Sequence, residues 1–261
     1  MNRRQHFILM TCITLLVSCI NAHTYADENP QPETTKLVRV AIFDYSKSKA
    51  SGPGNLMKFL TPAYGFQSTV VSPAEIRGGV LEDYDVVIFP GGSGSRQAKE
   101  LTADGRTAVR KFVRAGGGYV GICAGAYLAS SHYQWSLGVI NAHVWDRQHW
   151  ARGKKQVDIS LTPAGQEVLS NSKSKFNVYY QNGPLLVPDN QPHLPGYEVL
   201  AKYDTEVARN GAPENTMVGT HAIIRSKFGT GRVICFGPHP EKKDGPKSLI
   251  ASGVYWASNA E

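Results

Sequence analysis

Cysteine is scarce in this chain of 261 residues, with four in all, at positions 12, 19, 123 and 235. The first two fall in a leader-like N-terminal stretch, so the folded part holds Cys123 and Cys235 alone, which excludes a disulfide framework. Long apolar runs are lacking too: the run from Phe7 to Ile20 has fourteen residues, too few to span a bilayer comfortably. Charge of one sign is nowhere concentrated. The chain carries 28 Lys+Arg against 21 Asp+Glu, a net charge of +7, yet its basic residues gather in nothing longer than a pair such as Lys154-Lys155 or Lys242-Lys243. That scatter reads as a solvated basic surface rather than a nucleic-acid site, so no nucleic-acid partner is expected. Internal repeats and a second domain are absent as well.

The N-terminus has the parts of an export signal over residues 1–26. Arg3 and Arg4 form a charged start, the apolar run follows, and Thr24-Tyr25-Ala26 offers a small-x-small cleavage site. An alternative is Leu16-Val17-Ser18-Cys19, which resembles a lipobox; Cys19 would then be lipidated, and only then would the protein have a membrane partner. The expected location is exported, periplasmic or extracellular. Residues 27–36 lack periodicity and hold two prolines, as a linker does, and a folded domain is expected over 37–258.

From Leu37 the pattern alternates. Leu37 to Phe43, Phe66 to Val71, Tyr84 to Phe89 and Tyr119 to Ile122 read as strands, the first largely apolar as parallel strands buried on both faces are. Between them come helices from about Asn55 to Ala63, after the Ser72-Pro73-Ala74-Glu75 capping box, and from Thr102 to about Arg114. Strand and helix in turn predict an α/β fold with a mainly parallel, doubly wound sheet, whose ligands gather beyond the carboxyl ends of its strands. Asp44, Gly91-Gly92 and Cys123 all stand at such ends. The middle reads less regularly: strands over Leu137 to Val144, Gln156 to Leu161 and Phe176 to Tyr180, then Tyr197 to Tyr203, Val218 to Arg225 and Arg232 to Phe236, with a closing helix from Pro246 to Trp256.

The segment Gly121-Ile122-Cys123-Ala124-Gly125 has the spacing of a nucleophile elbow, in which small flanking residues let a strained turn present the nucleophile. A helix N-terminus beyond it would favour thiolate over thiol. The competing reading is a buried structural cysteine, the role expected of Cys235, and an oxidising compartment counts against a working thiol. After the last core strand comes Gly237-Pro238-His239-Pro240-Glu241. Two residues apart in an extended segment stiffened by proline, His239 and Glu241 point the same way and could supply a base and its orienting carboxylate. Pro90-Gly91-Gly92-Ser93-Gly94 could cradle a ligand through its backbone N–H groups; no Gly-Lys-Ser/Thr follows, so it is not a P-loop.

Together the Gly-x-Cys-x-Gly elbow and His-Pro-Glu resemble the class I glutamine amidotransferase-like superfamily, and Gly121-Ile122-Cys123-Ala124-Gly125-Ala126-Tyr127 is most similar to its biotin–protein ligase N-terminal domain branch. The likeness spans Leu37 to Trp256. It implies a flavodoxin-like architecture, with Cys123 as nucleophile, His239 as general base and acid, and Glu241 as orienter. The N–H groups of Gly92 and Ala124 would form an oxyanion hole, and Gly91, Tyr127, Gln181, Asn182 and Gly183 would bind substrate. Packing at a strand end is the competing reading for Gln181 and Asn182. Where glutamine-using relatives carry glutamine, this chain has Tyr127, which weakens the case for glutamine as substrate. No synthetase or ligase module accompanies the elbow, so biotinylation is not implied.

The expected function is an exported cysteine-dependent hydrolase or amidase, acting through a thioester on Cys123 on a small-molecule or peptide substrate. The alternative is a non-catalytic module binding a small ligand or a protein on the same fold; a peptidase is a third, weaker reading. No cofactor is expected and no metal: His143 and His149 fit no common zinc spacing and read as surface residues, and His221 as a core or pocket-wall histidine.

Overall fold

The computed structural model describes residues 36–169 and 172–259. The expected export signal, with Cys12 and Cys19, lies outside the described residues, as does the expected linker apart from Lys36.

In chain order the first half runs β1 (Val38–Phe43), α1 (Ser51–Met57), β2 (Phe66–Val71), α2 (Pro73–Arg77), β3 (Val86–Phe89), α3 (Gly94–Arg114), β4 (Gly118–Ile122) and α4 (Ala124–Ala129). It continues through β5 (Ala142–Trp145), β6 (Lys154–Leu161), α5 (Pro163–Val168), β7 (Lys175–Gln181) and β8 (Leu185–Pro188). The chain closes with β9 (Glu198–Tyr203), β10 (His221–Phe228), β11 (Gly231–Phe236) and α6 (Lys247–Ser258).

One mixed sheet joins all the strands, in the order β2-β1-β3-β4-β11-β10-β9-β6-β7, with β8 pairing both β10 and β5. The first five are parallel neighbours. Counting β11 as the fifth parallel strand, their order is 2-1-3-4-5, that of flavodoxin. From β11 onward every pairing is antiparallel. The expected doubly wound architecture is therefore the core of the sheet, and an antiparallel extension completes it.

Both faces of β1, β3, β4 and β11 are largely dry, and these strands divide their side chains between them, whereas the edge strand β2 exposes Gln67, Thr69 and Val70. Val40, Ile42, Val120, Ile122, Ile234 and Phe236 pack on one side with Leu249, Ile250 and Val254 of α6. Ala41, Phe43, Val87, Phe89, Tyr119 and Val233 pack on the other with Leu101, Val109 and Val113 of α3. Burying each such aliphatic side chain contributes about 1.5–3 kcal/mol, which is why these strands read as unbroken apolar runs.

Several boundaries differ from expectation for physical reasons. The helix expected from Asn55 begins at Ser51, because Gly52 and Pro53 are buried beneath the Pro90 loop. The helix expected from Thr102 to Arg114 does begin there: Thr102 (φ 62°, ψ −178°) is a non-helical kink inside α3, and what differs is an additional first part that begins at Gly94 and buries Gln97, Ala98 and Leu101. The strand expected from Leu137 forms only over Ala142–Trp145, and β8 was not foreseen. The capping box holds as read: Ser72 Oγ accepts from the Glu75 N–H, and Glu75 Oε2 accepts from the Ser72 N–H at 2.7 Å.

Candidate active site

The turn after β4 carries the first of the candidate side chains, Cys123. The Cys123 N–H donates to the Phe236 carbonyl at 2.8 Å, so the β4–β11 ladder runs up to the cysteine itself. There the backbone breaks sharply, with Cys123 at φ 50° and ψ −98° as the N-cap of α4. A non-glycine residue in that region stores strain and persists only where its surroundings over-determine it. The glycines on either side do so. A Cβ on Gly121 would sit 2.7 Å from the Gly125 carbonyl, and one on Gly125 would sit 2.8 Å from Phe89 Cβ and closer still to the Phe89 carbonyl oxygen. Helix α4 thus lies directly on β3 and β4.

The segment after β11 brings the second and third groups. The His239 N–H donates to the Tyr179 carbonyl of β7 at 2.8 Å, anchoring the loop to the antiparallel half. His239 Nδ1 lies 2.8 Å from Glu241 Oε1, and both side chains are buried. The ring passes over Gly91, where a Cβ would meet His239 Cε1 at 2.6 Å. Burial pushes the imidazole down, but the charge and hydrogen bonding of Cys123, with those of Glu241, outweigh it and raise His239 to about 10. As a thiol, Cys123 also donates to the Gln181 carbonyl at 3.6 Å.

These groups share a cavity of about 640 Å³, within the size range of small-molecule sites. Of the residues expected there, Gly91, Gly92, Cys123, Tyr127, Gln181, Asn182, His239 and Glu241 line it. Ala124 does not line it and is buried at the start of α4. Gly92 has φ 148°, a backbone turn suited to glycine, and faces the cavity. Gly183 does not line the cavity: its α-carbon packs so close to the Gly237 carbonyl that a side chain would not fit, and its own carbonyl accepts from Tyr180 Oη at 2.7 Å. Asp44, noted at the end of β1, is also outside, since its carboxylate caps a turn by accepting from the N–H groups of Ser46 and Ser48 at 2.7 and 2.8 Å.

Tyr127 bridges the two halves of the sheet, donating from Oη to the Asn182 carbonyl at 3.1 Å. Asn182, at φ 50°, in turn accepts on Oδ1 from the Gly153 N–H at 2.8 Å. Sequence reasoning missed the aromatic wall of Tyr133, Trp135 and Trp150, and Lys242 at the rim. Tyr133 and Trp135 stack at 4.5 Å and 10°; their short spacing after α4 was the available signal. It also missed Arg152, a fully buried guanidinium held by Asp146 at 2.5 Å. His149 is tied to the same Asp146 at 2.6 Å and so is no partner for His143. His143 instead lies against His132 and Asp189, the three offering ligand-type atoms within 4.8 Å of one another. His221, as read, is half-buried, and accepts from or donates to Tyr197 Oη at 2.7 Å.

The family model described as "Biotin-protein ligase, N terminal" matches residues 53–151 and 147–252. The chain belongs to the biotin-protein ligase N-terminal family. The matched span of this family includes the elbow and His239-Pro240-Glu241. A comparison with curated proteins finds no match. Among solved structures, a protein described as ThuA-like from Bacteroides uniformis superposes with a TM-score of 0.60 at 15% identity, covering 87% of this chain and 94% of that one. A second ThuA-like protein, from Parabacteroides merdae, gives 0.57 at 11% identity, covering 86% and 91%. A cytoplasmic protein of Salmonella typhimurium gives 0.56 at 11% identity, covering 85% and 99%. At such identities the likeness is one of fold, and this biotin-protein ligase N-terminal family member shares the flavodoxin-like sheet of those neighbours.

Proposed function

We propose that this protein is an exported, glutamine amidotransferase-like cysteine hydrolase that cleaves an amide or related acyl bond. The observation that carries the reading is the seating of His239 between Glu241 and the strained Cys123, on the wall of a substrate-sized cavity. In the resting pair His239 holds a proton beside Cys123 sulfur. The thiolate attacks the substrate carbonyl carbon, and the developing oxyanion is met by the N–H groups of Gly92 and Ala124, a role commonly contributing about 3–4 kcal/mol per donor. The carbonyl then re-forms, the C–N bond breaks, and His239 gives its proton to the departing amine, leaving a thioester. Water, deprotonated by His239, attacks the thioester and releases the acid and the thiolate. Glu241 holds the ring through Nδ1, so that Nε2 does the proton transfer. The export reading rests on residues 1–26 alone.

Its test is labelling with an electrophilic glutamine analogue, followed by a screen of amide substrates. Wild type should be modified at Cys123 and should turn substrate over, while Cys123→Ala should lose at least about a thousandfold in turnover. Equal hydrolysis by the two proteins would remove the mechanism.

A second reading has its own support. The Cys123 thiol is directed at the Gln181 carbonyl, and Tyr127 spans the cavity to Asn182. Both suit a module that binds a ligand without cleaving it. A ligand held equally well by wild type and Cys123→Ala, with no turnover by either, would favour it.

A further inference from the structure

We infer that His132, His143 and Asp189 form a binding site for a divalent transition-metal ion of the zinc type, which fastens the loop after α4 to the β5–β8 pair. The three residues come from separate segments that the fold brings together. His132 follows α4. His143 lies in β5, and Asp189 directly follows β8. In the antiparallel β5–β8 register Ala142 faces Pro188 and His143 faces Val187, which sets Asp189 one step beyond the paired ladder and beside His143. The Asp189 N–H donates to the Asn141 carbonyl at 3.3 Å, and the buried Asn141 side chain grips the Gln191 N–H at 2.9 Å and the Gln191 and Leu194 carbonyls at 3.0 Å. The ligand-bearing backbone is therefore rigid before any ion arrives.

The donor atoms already converge. His132 Nδ1 and His143 Nδ1 are 2.7 Å apart with rings nearly perpendicular, and His143 Nδ1 lies 3.3 Å from Asp189 Oδ1. With metal–ligand bonds of about 2.0–2.1 Å, tetrahedral coordination needs neighbouring donors about 3.4 Å apart. The histidine–carboxylate pair meets that spacing, and the two imidazoles need to part by only about 0.7 Å to reach it. Asp189 is oriented for the task. Its Oδ2 accepts from Ser131 Oγ at 2.7 Å and Gln191 Nε2 at 2.9 Å, while Oδ1 faces the histidines. Such outer contacts are what hold a ligating carboxylate in place. Without an ion, one Nδ1 must donate a proton to the other. With one, both Nδ1 lone pairs bind metal and each ring carries its proton on Nε2.

Two imidazoles and one carboxylate select zinc and its first-row neighbours over calcium or magnesium, which prefer all-oxygen sites. Arg147 places some positive charge near His132, and Asp189 offsets it. Three protein ligands leave a fourth position for water. The site lies behind the cavity wall, because the His132 ring packs edge-on against Tyr133 at 4.5 Å, and Tyr133 and Trp135 line the cavity. Metal binding would therefore stiffen that wall. It stands independently of the chemistry at Cys123.

The test uses the full chain carrying Cys123→Ala, so that the thiol beside His239 cannot bind metal, titrated with zinc chloride by calorimetry and with cobalt chloride by absorbance. Expected is one equivalent bound, with Kd weakened at least tenfold by His132→Ala, His143→Ala and Asp189→Asn, each checked for folding by circular dichroism. His149→Ala should leave Kd unchanged. Absence of binding, or binding that none of the three substitutions weakens, would overturn the proposal. Should the variants fail to fold, anomalous diffraction at the zinc edge from crystals of the unsubstituted chain decides: a peak bonded to the three side chains supports the site, and a peak only elsewhere refutes it.

Discussion

The parallel and antiparallel halves of the sheet contribute to the cavity in different ways. The parallel half supplies a thiol at the end of a strand, Cys123, held by β3, β4 and α4 packed within a few ångströms of one another. The antiparallel half supplies Gln181 and Asn182, and His239 stands on the seam, its backbone anchored to Tyr179. The two cysteines make the same contrast at one register: Cys235 pairs with Gly121 in mid-sheet, fully buried, with burial pushing its thiol far up. Two positions along β4 from that glycine, Cys123 has left the ladder and faces a cavity. Position along a strand, more than residue type, separates filling from a candidate nucleophile.

That comparison breaks most easily at the elbow. Gly125→Ala would drive a methyl group into the Phe89 carbonyl, with backbone on both sides and little freedom to yield. The expected cost is about 3 kcal/mol or more, read as a fall in the urea midpoint. Gly196, in the antiparallel half, has open space where its Cβ would stand, so Gly196→Ala should stay within about 0.5 kcal/mol of wild type. Similar losses at both sites would mean that the elbow is not tightly packed after all.

The next effect lies at the seam and depends on pH. Cys123 and Glu241 raise His239 in the folded protein to about 10, from the ordinary histidine value near 6.5. The proton binds the folded state more tightly, so the stability it contributes is fully present below about pH 6.5 and is lost as pH rises toward about 10. Melting temperature should therefore fall over that window in wild type, and fall less in His239→Gln. Parallel curves for the two proteins would show that the ring is not held as a cation.

What could be read without coordinates was local. The inner parallel strands β1, β3 and β4 announce themselves as largely apolar runs because both faces are buried, and the elbow and His239-Pro240-Glu241 are short motifs whose partners lie within a few residues. The missed features depend on distant neighbours. The first turns of α3 are a partial exception, since Ser93 Oγ caps them by accepting from the Arg96 N–H, but they open on Gly94-Ser95 and are held by burial and by Gln97 Nε2 donating to the Pro90 carbonyl at 2.7 Å. Strand β8 is short, framed by prolines, and pairs with β5 and β10 rather than with a sequence neighbour. Gly183 was read as a pocket residue because it sits in a polar turn, and only the fold reveals that Gly237 fills the space beside it. The His132–His143–Asp189 group spans 57 positions of sequence and matches no ligand spacing, which is why His143 was weighed with His149 instead.

The smallest effect tests the link between the halves directly. Tyr127 lies in α4 one turn after Cys123, and its hydroxyl joins α4 to the Asn182 carbonyl. Tyr127→Phe keeps the ring and removes that one hydrogen bond. It should cost about 1 kcal/mol of stability, seen as a small drop in the urea midpoint, with the Asn182 carbonyl freed to take water from the cavity. If the bond also holds the two halves in register around Cys123, modification by the glutamine-analogue probe should slow severalfold as well. A stability loss with no change in labelling would instead confine Tyr127 to packing, and would mean that the parallel half positions the thiol without help from its neighbour.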